Sequence, residues 1–149
     1  MKKFFATICA VGIFLTGCAG DENISTQKPA TNKINLHAAK DGIYIVESSL
    51  DENIGKSVLT LTIRDKKIIA AEFAGYDLFG KLKDENYGSL ASTVADYQKA
   101  QAAVDAMKIY PAKLVETQDL SKVDAISGAT ISYNQFVETT KRAVEIAAD

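Results

Sequence analysis

Between Ser57 and Arg64 the chain reads SVLTLTIR, with Leu59, Leu61 and Ile63 at alternate positions and Thr60, Thr62 and Arg64 offset from them by one. A period of two places the apolar set on one face of a strand and the polar set on the other, which a helix cannot do. This stretch therefore commits the chain to a sheet with one covered face. The short polar run Arg64-Asp65-Lys66-Lys67, followed by apolar residues from Ile68 to Phe73, predicts a hairpin into a further strand. Ile43 to Ser49, rich in β-formers, predicts a strand before both. The expected sheet is antiparallel, with about three or more strands.

Beyond the sheet the period changes. Leu90, Val94, Tyr97, Ala100, Val104 and Met107 recur at spacings of three and four, predicting an amphipathic helix from about Ser89 to Met107 that packs on the sheet. Pro111 cannot continue that helix but suits the first turn of another, so a separate short helix is expected from Pro111 to about Gln118. Phe136, Val137, Thr140, Val144 and Ala147 mark one side of a C-terminal helix, with Ser132 and Gln135 as a capping box at its start. Strands first and helices after them define an α+β fold class.

The chain's beginning belongs to a different category. Lys2 and Lys3 precede an apolar run from Phe4 to Leu15 that is too short to span a bilayer, the pattern of a signal peptide over residues 1–17. Leu15-Thr16-Gly17-Cys18 resembles the bacterial lipobox. That resemblance implies cleavage before Cys18, acylation of its thiol with chains such as palmitate, and a lipid-anchored protein on the extracytoplasmic side of the membrane. Residues 18–39 then comprise the lipidated cysteine and a polar tether, Ala19 to Ala39, whose reach is roughly 25 Å for about 21 residues. The folded domain is expected at residues 40–149.

Cysteine usage narrows the chemistry. Cys9 leaves with the signal peptide and Cys18 is acylated, so the domain has neither a thiol nor a disulfide. The single histidine, His37, precedes the domain and reads as a solvated side chain. Zinc sites, iron–sulfur clusters and Cys/His catalysis thus lack their residues, and any redox chemistry needs an organic cofactor. Removing Lys2 and Lys3 from 17 basic and 19 acidic residues leaves 15 against 19, a formal charge of −4 that disfavours nucleic acid as a partner.

The stretch DAISGATIS, Asp124 to Ser132, combines a tight turn, hydroxyls and a helix start. Gly128 takes a positive φ at little steric cost, so Ser127-Gly128-Ala129 turns sharply and offers successive N–H groups to an anion. The helix N-terminus behind it adds unpaired donors and the positive end of its dipole. The same residues also serve as plain capping chemistry, for which no ligand is needed.

Asp124, Ser127, Gly128, Ala129 and Thr130 resemble the pattern D-x-x-[ST]-G-A-[TS] of the FMN-binding domain found in the C subunit of the sodium-pumping NADH:quinone oxidoreductase and the G subunit of the Rnf complex. KDGIYIVES and GKLKDENYG are similar to segments of small membrane-anchored lipoproteins carrying one such domain. The resemblance implies that Thr130 is esterified to the phosphate of FMN by a Mg²⁺-dependent flavin transferase using FAD as donor. Asp124 then serves transferase recognition. In the glycine-rich loop Gly75 to Gly88, Tyr87 and Lys81 become candidates to cover the flavin ring and to stabilise its reduced anion, with Tyr76, Phe79 and Lys83 beside them.

The expected function is electron relay between a redox donor and acceptor by covalent FMN, with no catalytic residue and no metal site of its own. Two alternatives stay open: a binding or structural lipoprotein without flavin, including a signalling-peptide precursor, and a small flavin-dependent reductase. Without a membrane-spanning segment, membership of the multisubunit pumps is not expected.

Overall fold

The computed structural model describes residues 32–149; the signal peptide, Cys18 and the first part of the tether lie outside the described residues. Strands β1 (Gly42–Glu47), β2 (Lys56–Arg64) and β3 (Lys67–Tyr76) form an antiparallel sheet in the order β1-β2-β3. Helix α1 (Val94–Thr117), a single 3₁₀ turn (Leu120–Lys122) and helix α2 (Thr130–Ala148) follow, giving the expected α+β class. Leu59 pairs with Val46 on one side and Phe73 on the other, so the alternating face of β2 is the middle of the core. Leu59, Leu61 and Ile63 are no more than 1% exposed.

The hairpin turn places Asp65 at φ 51° and Lys66 at φ 60°, the two-residue turn whose twist matches the strands it joins. Just after it, Ile63 pairs with Ile68 but Thr62 pairs with Ala70, leaving Ile69 as a bulge. The extra residue shifts the alternation, so that Ile68 and Phe73 are both buried while Ile69 turns outward.

Both helices cover the sheet, α1 along β3 and α2 across β1 and β2. The separate helix expected from Pro111 does not exist: α1 runs unbroken through Pro111. An internal proline removes one hydrogen bond and costs about 3 kcal/mol. Buried Ala106, Tyr110, Pro111 and Leu114 offset that by packing within the core. Nor does the helix begin at Ser89. Thr93 and Asp96 form a reciprocal cap, Oγ1 accepting from the Asp96 N–H at 3.1 Å and donating to its carboxylate at 2.8 Å, which starts α1 at Val94. Leu90, Val94 and Tyr97, expected against the sheet, are 97%, 75% and 42% exposed.

The packed chain reaches back beyond Lys40. Ile34 and Leu36 lie against the core and Ala39 is buried. The Asn32 amide donates to the Tyr133 hydroxyl at 3.0 Å, and the Lys40 N–H donates to the Ala147 carbonyl at 2.8 Å. The end of the stretch read as tether is thus seated on the domain.

Candidate functional site

Tyr110 organises the approach to Thr130. Fully buried in α1, it packs edge-on against Tyr133 and tilted against Phe136, with ring centres 5.7 and 5.5 Å away. Its hydroxyl accepts from the Ile126 N–H at 3.0 Å. Ile126 opens a tight turn closed by Ala129 N–H donating to the Ile126 carbonyl at 2.9 Å, with Gly128 at φ 86° as expected. The turn is therefore fixed to α1 before α2 begins.

Helix α2 starts at Thr130, with Ala129 at its N-cap and no side chain bonded to its first amides. The expected capping box does not form. Ser132 lies inside the first turn and is buried, and Gln135 is drawn away toward β2. The Gln135 side chain accepts from the Ser57 hydroxyl at 2.7 Å and donates to the Gly55 carbonyl at 2.9 Å. Two buried partners outweigh one exposed capping bond.

At this uncapped end opens a cavity of about 530 Å³. Gly128 to Ser132 form one wall, and Asp96, Lys99, Ala100 and Ala103 of α1 form a second. Asn53 and Ile54, from the loop between β1 and β2, close it with Tyr87. That loop is held by the Asp51 carboxylate, which accepts from Asn53 N–H at 2.9 Å and Ile54 N–H at 3.0 Å. Asp96 faces the cavity, but Thr93 hydrogen bonding first and Lys99 second hold its carboxyl below the usual range. The Lys99–Asp96 pair is exposed and 3.5 Å long, leaving Lys99 free to turn toward an anion.

The structure brings together Gly128, Ala129, Thr130 and Tyr87. Asp124 and Ser127 are exposed and stand outside the cavity lining, and so does Lys81. Lys81 sits in an exposed turn on the Asp77 carboxylate, bordering a smaller groove. The buried lysine of that loop is Lys83, 3% exposed, with its ammonium 5.1 Å from the centre of the Tyr87 ring. Sequence reasoning passed over Asn53, Ile54 and Lys99; Lys99 did carry a signal, lying one helical turn from both Asp96 and Ala103. A larger groove of about 810 Å³, beside Lys33, His37, Lys66 and Gln118, contains no motif residue.

An α+β layer with an uncapped helix start and a hydroxyl at the edge of a partly apolar cavity defines a small domain built to hold a phosphate-bearing cofactor. The FMN-binding domain family matches residues 54–145, and the chain belongs to that family. Its fold is similar to that of the CPE2226 protein from Clostridium perfringens, known from a crystal structure: 26% identity, TM-score 0.58, over 73% of this chain and 88% of that one. No significantly similar sequence is found among curated proteins.

FMN is accordingly the cofactor, and the cavity fits it. Its volume lies in the range of about 300 to 1,000 Å³ typical of small-molecule sites. Unpaired amides and Lys99 suit the phosphate, while Tyr87, Ile54 and the alanines of α1 suit an aromatic ring system.

Proposed function

We propose that Thr130 carries FMN covalently through a phosphoester and that the protein relays electrons while anchored by Cys18 to the outer side of the cytoplasmic membrane. The observation that carries this reading is the position of Thr130: first residue of α2, exposed, and on the wall of the cavity. An attached phosphate there retains one negative charge, which the first amides of α2 and its dipole favour by about 0.3 to 2 kcal/mol.

The Thr130 hydroxyl gains the phosphate from FAD under a flavin transferase with Mg²⁺. Its oxygen forms the new bond to phosphorus as the pyrophosphate bond breaks, AMP departs, and the hydroxyl proton passes to the transferase. Bound FMN supplies one- and two-electron redox chemistry. Tyr87 and the alanines of α1 would shield one side of a bound ring system from water, and Gly128, without a side chain, would leave room beside the turn for the phosphate. Covalency also has a use outside the cytoplasm, where lost FMN is not readily replaced.

Intact mass after coexpression with a flavin transferase tests the reading. The expected gain is FMN less water, retained in denaturant. Complete release of yellow colour on denaturation would mean that binding is non-covalent.

A further inference from the structure

Leu78, Phe79, Leu82, Leu90, Val94 and Tyr97 all fall between residues 78 and 97, and all are left exposed by the fold. Phe79 and Leu90 are 95% and 97% exposed. Scattered apolar side chains need no explanation, but two of these, Leu82 and Leu90, share a groove next to the Thr130 cavity. Within it lies a groove of about 210 Å³ lined by Leu82, Leu90 and Ala91 together with Asp77 and Asp84. Tyr87 lines both this groove and the Thr130 cavity, so the two are separated by one aromatic side chain.

The surrounding charge is negative. Asp51, Glu52, Asp77, Asp84, Glu85 and Asp96 stand on the loops and helix start that frame the two cavities, against Lys81, Lys83 and Lys99. Lys83 is buried and Lys99 is balanced by Asp96, which leaves five carboxylates, Asp51, Glu52, Asp77, Asp84 and Glu85, against the exposed Lys81. Such a rim repels an anionic membrane surface, and it repels a second copy of this acidic chain. It attracts a protein with a basic face, and an apolar centre within a charged rim is the anatomy of a transient protein interface.

We infer that the Leu82–Leu90 groove docks the redox partner, a protein presenting a lysine- or arginine-rich face with an apolar centre. The redox role of this partner rests on the function proposed above; the docking itself does not. A partner seated here lies across Tyr87 from the cavity.

The probe is ferricytochrome c, a basic one-electron acceptor, titrated calorimetrically into the mature protein with FMN content measured separately by absorbance. Its Kd should rise about tenfold from low to physiological salt. A similar rise, about tenfold, is expected in Asp84→Asn/Glu85→Gln and in Phe79→Ser/Leu90→Ser. Phe79, Glu85 and Leu90 are exposed, and Asp84 is half-buried with its carboxylate accepting from the Asn86 N–H, a bond that the asparagine oxygen can still accept, so thermal unfolding should change little. Electron transfer from the reduced protein, each cytochrome taking one electron, should slow in parallel.

A Kd insensitive to both double variants overturns the inference, as does equal affinity for an acidic flavodoxin. Uptake on phosphatidylglycerol vesicles that Leu90→Ser abolishes, or a dimer that it dissolves, assigns the patch to another occupant and also overturns it. Protein that lacks FMN yet binds cytochrome with this salt and variant dependence loses the proposed function and keeps the docking surface.

Discussion

Lys83 holds its ammonium 5.1 Å from the centre of the Tyr87 ring while its backbone N–H donates to the Gly75 carbonyl at 2.9 Å, a buried cation beside the tyrosine that lines the Thr130 cavity. Burial lowers its pKa from the usual 10.5 to about 8, against the opposing pull of Asp77 and Asp51. Below about pH 8 folded and unfolded chains both hold the proton, and the folded state bears the full cost of burying it. Between about 8 and 10.5 the unfolded chain keeps a proton that the folded one has released, so this group's contribution to stability improves as pH rises. Lys83→Met should therefore gain about 1 kcal/mol at neutral pH, allowing for solvent at the ammonium, and the gain should shrink as pH rises above 8. Urea midpoints of the two proteins across that window check it; a gain independent of pH would assign the effect to packing.

Gln135 ties α2 to the loop that closes the cavity, through Ser57 and Gly55. Gln135→Leu should cost about 2 to 3 kcal/mol, because it strands a buried hydroxyl and a buried carbonyl. It should also lower FMN yield, since Asn53 and Ile54 depend on that loop. Retained yield at equal stability loss would separate the loop from the cofactor site.

Two glycines with positive φ should respond differently to alanine. At Gly128, φ 86°, an added Cβ meets nothing nearer than Ala102 Cβ at 3.5 Å, so the cost is backbone strain of about 1 to 2 kcal/mol. At Gly55, φ 99°, the same atom would collide with the Tyr76 carbonyl oxygen and the Asp77 backbone, and backbone must move. Gly55→Ala should cost more than about 3 kcal/mol or prevent folding. Chemical denaturation of both variants decides the order, and equal losses would contradict the close approach of Gly55 to β3.

The sheet was legible because β2 alternates without a break and its apolar face has a single place to go. The motif was legible because Gly128 takes the one backbone conformation that its neighbours cannot share. Pro111 misled, since local propensity argues for a break while burial of Tyr110 and Leu114 sustains the helix through it. Leu90, Val94 and Tyr97 misled in the opposite sense: their spacing is that of a core face, yet Leu90 precedes the helix and the first turn of α1 projects beyond the packed region. Lys81 and Lys83 have the same parity, so alternation does not choose between them. What separates them is pairing, Lys83 with Gly75 and Lys81 with the Asp77 carboxylate in an exposed turn.

Thr130→Val should abolish covalent FMN while changing stability by no more than about 1 kcal/mol, since Thr130 is exposed and its hydroxyl caps nothing. Two other hydroxyls are close in sequence. Ser132 is 4% exposed, so a transferase would have to unwind the first turn of α2 to reach it. Ser127 is exposed, but it lies before the Gly128 turn and outside the cavity lining. Ser127→Ala should therefore keep covalent FMN, and Ser132→Ala should keep it with a stability loss of about 1 kcal/mol. Peptide mapping of the flavin fluorescence tests all three positions at once. FMN on a peptide carrying a modified Ser127 or Ser132, or fluorescence persisting in Thr130→Val, would falsify the assignment of Thr130, because both outcomes require the phosphate to be accepted either by Ser127, outside the cavity lining, or by Ser132, which lines the cavity but is buried in the first turn of α2.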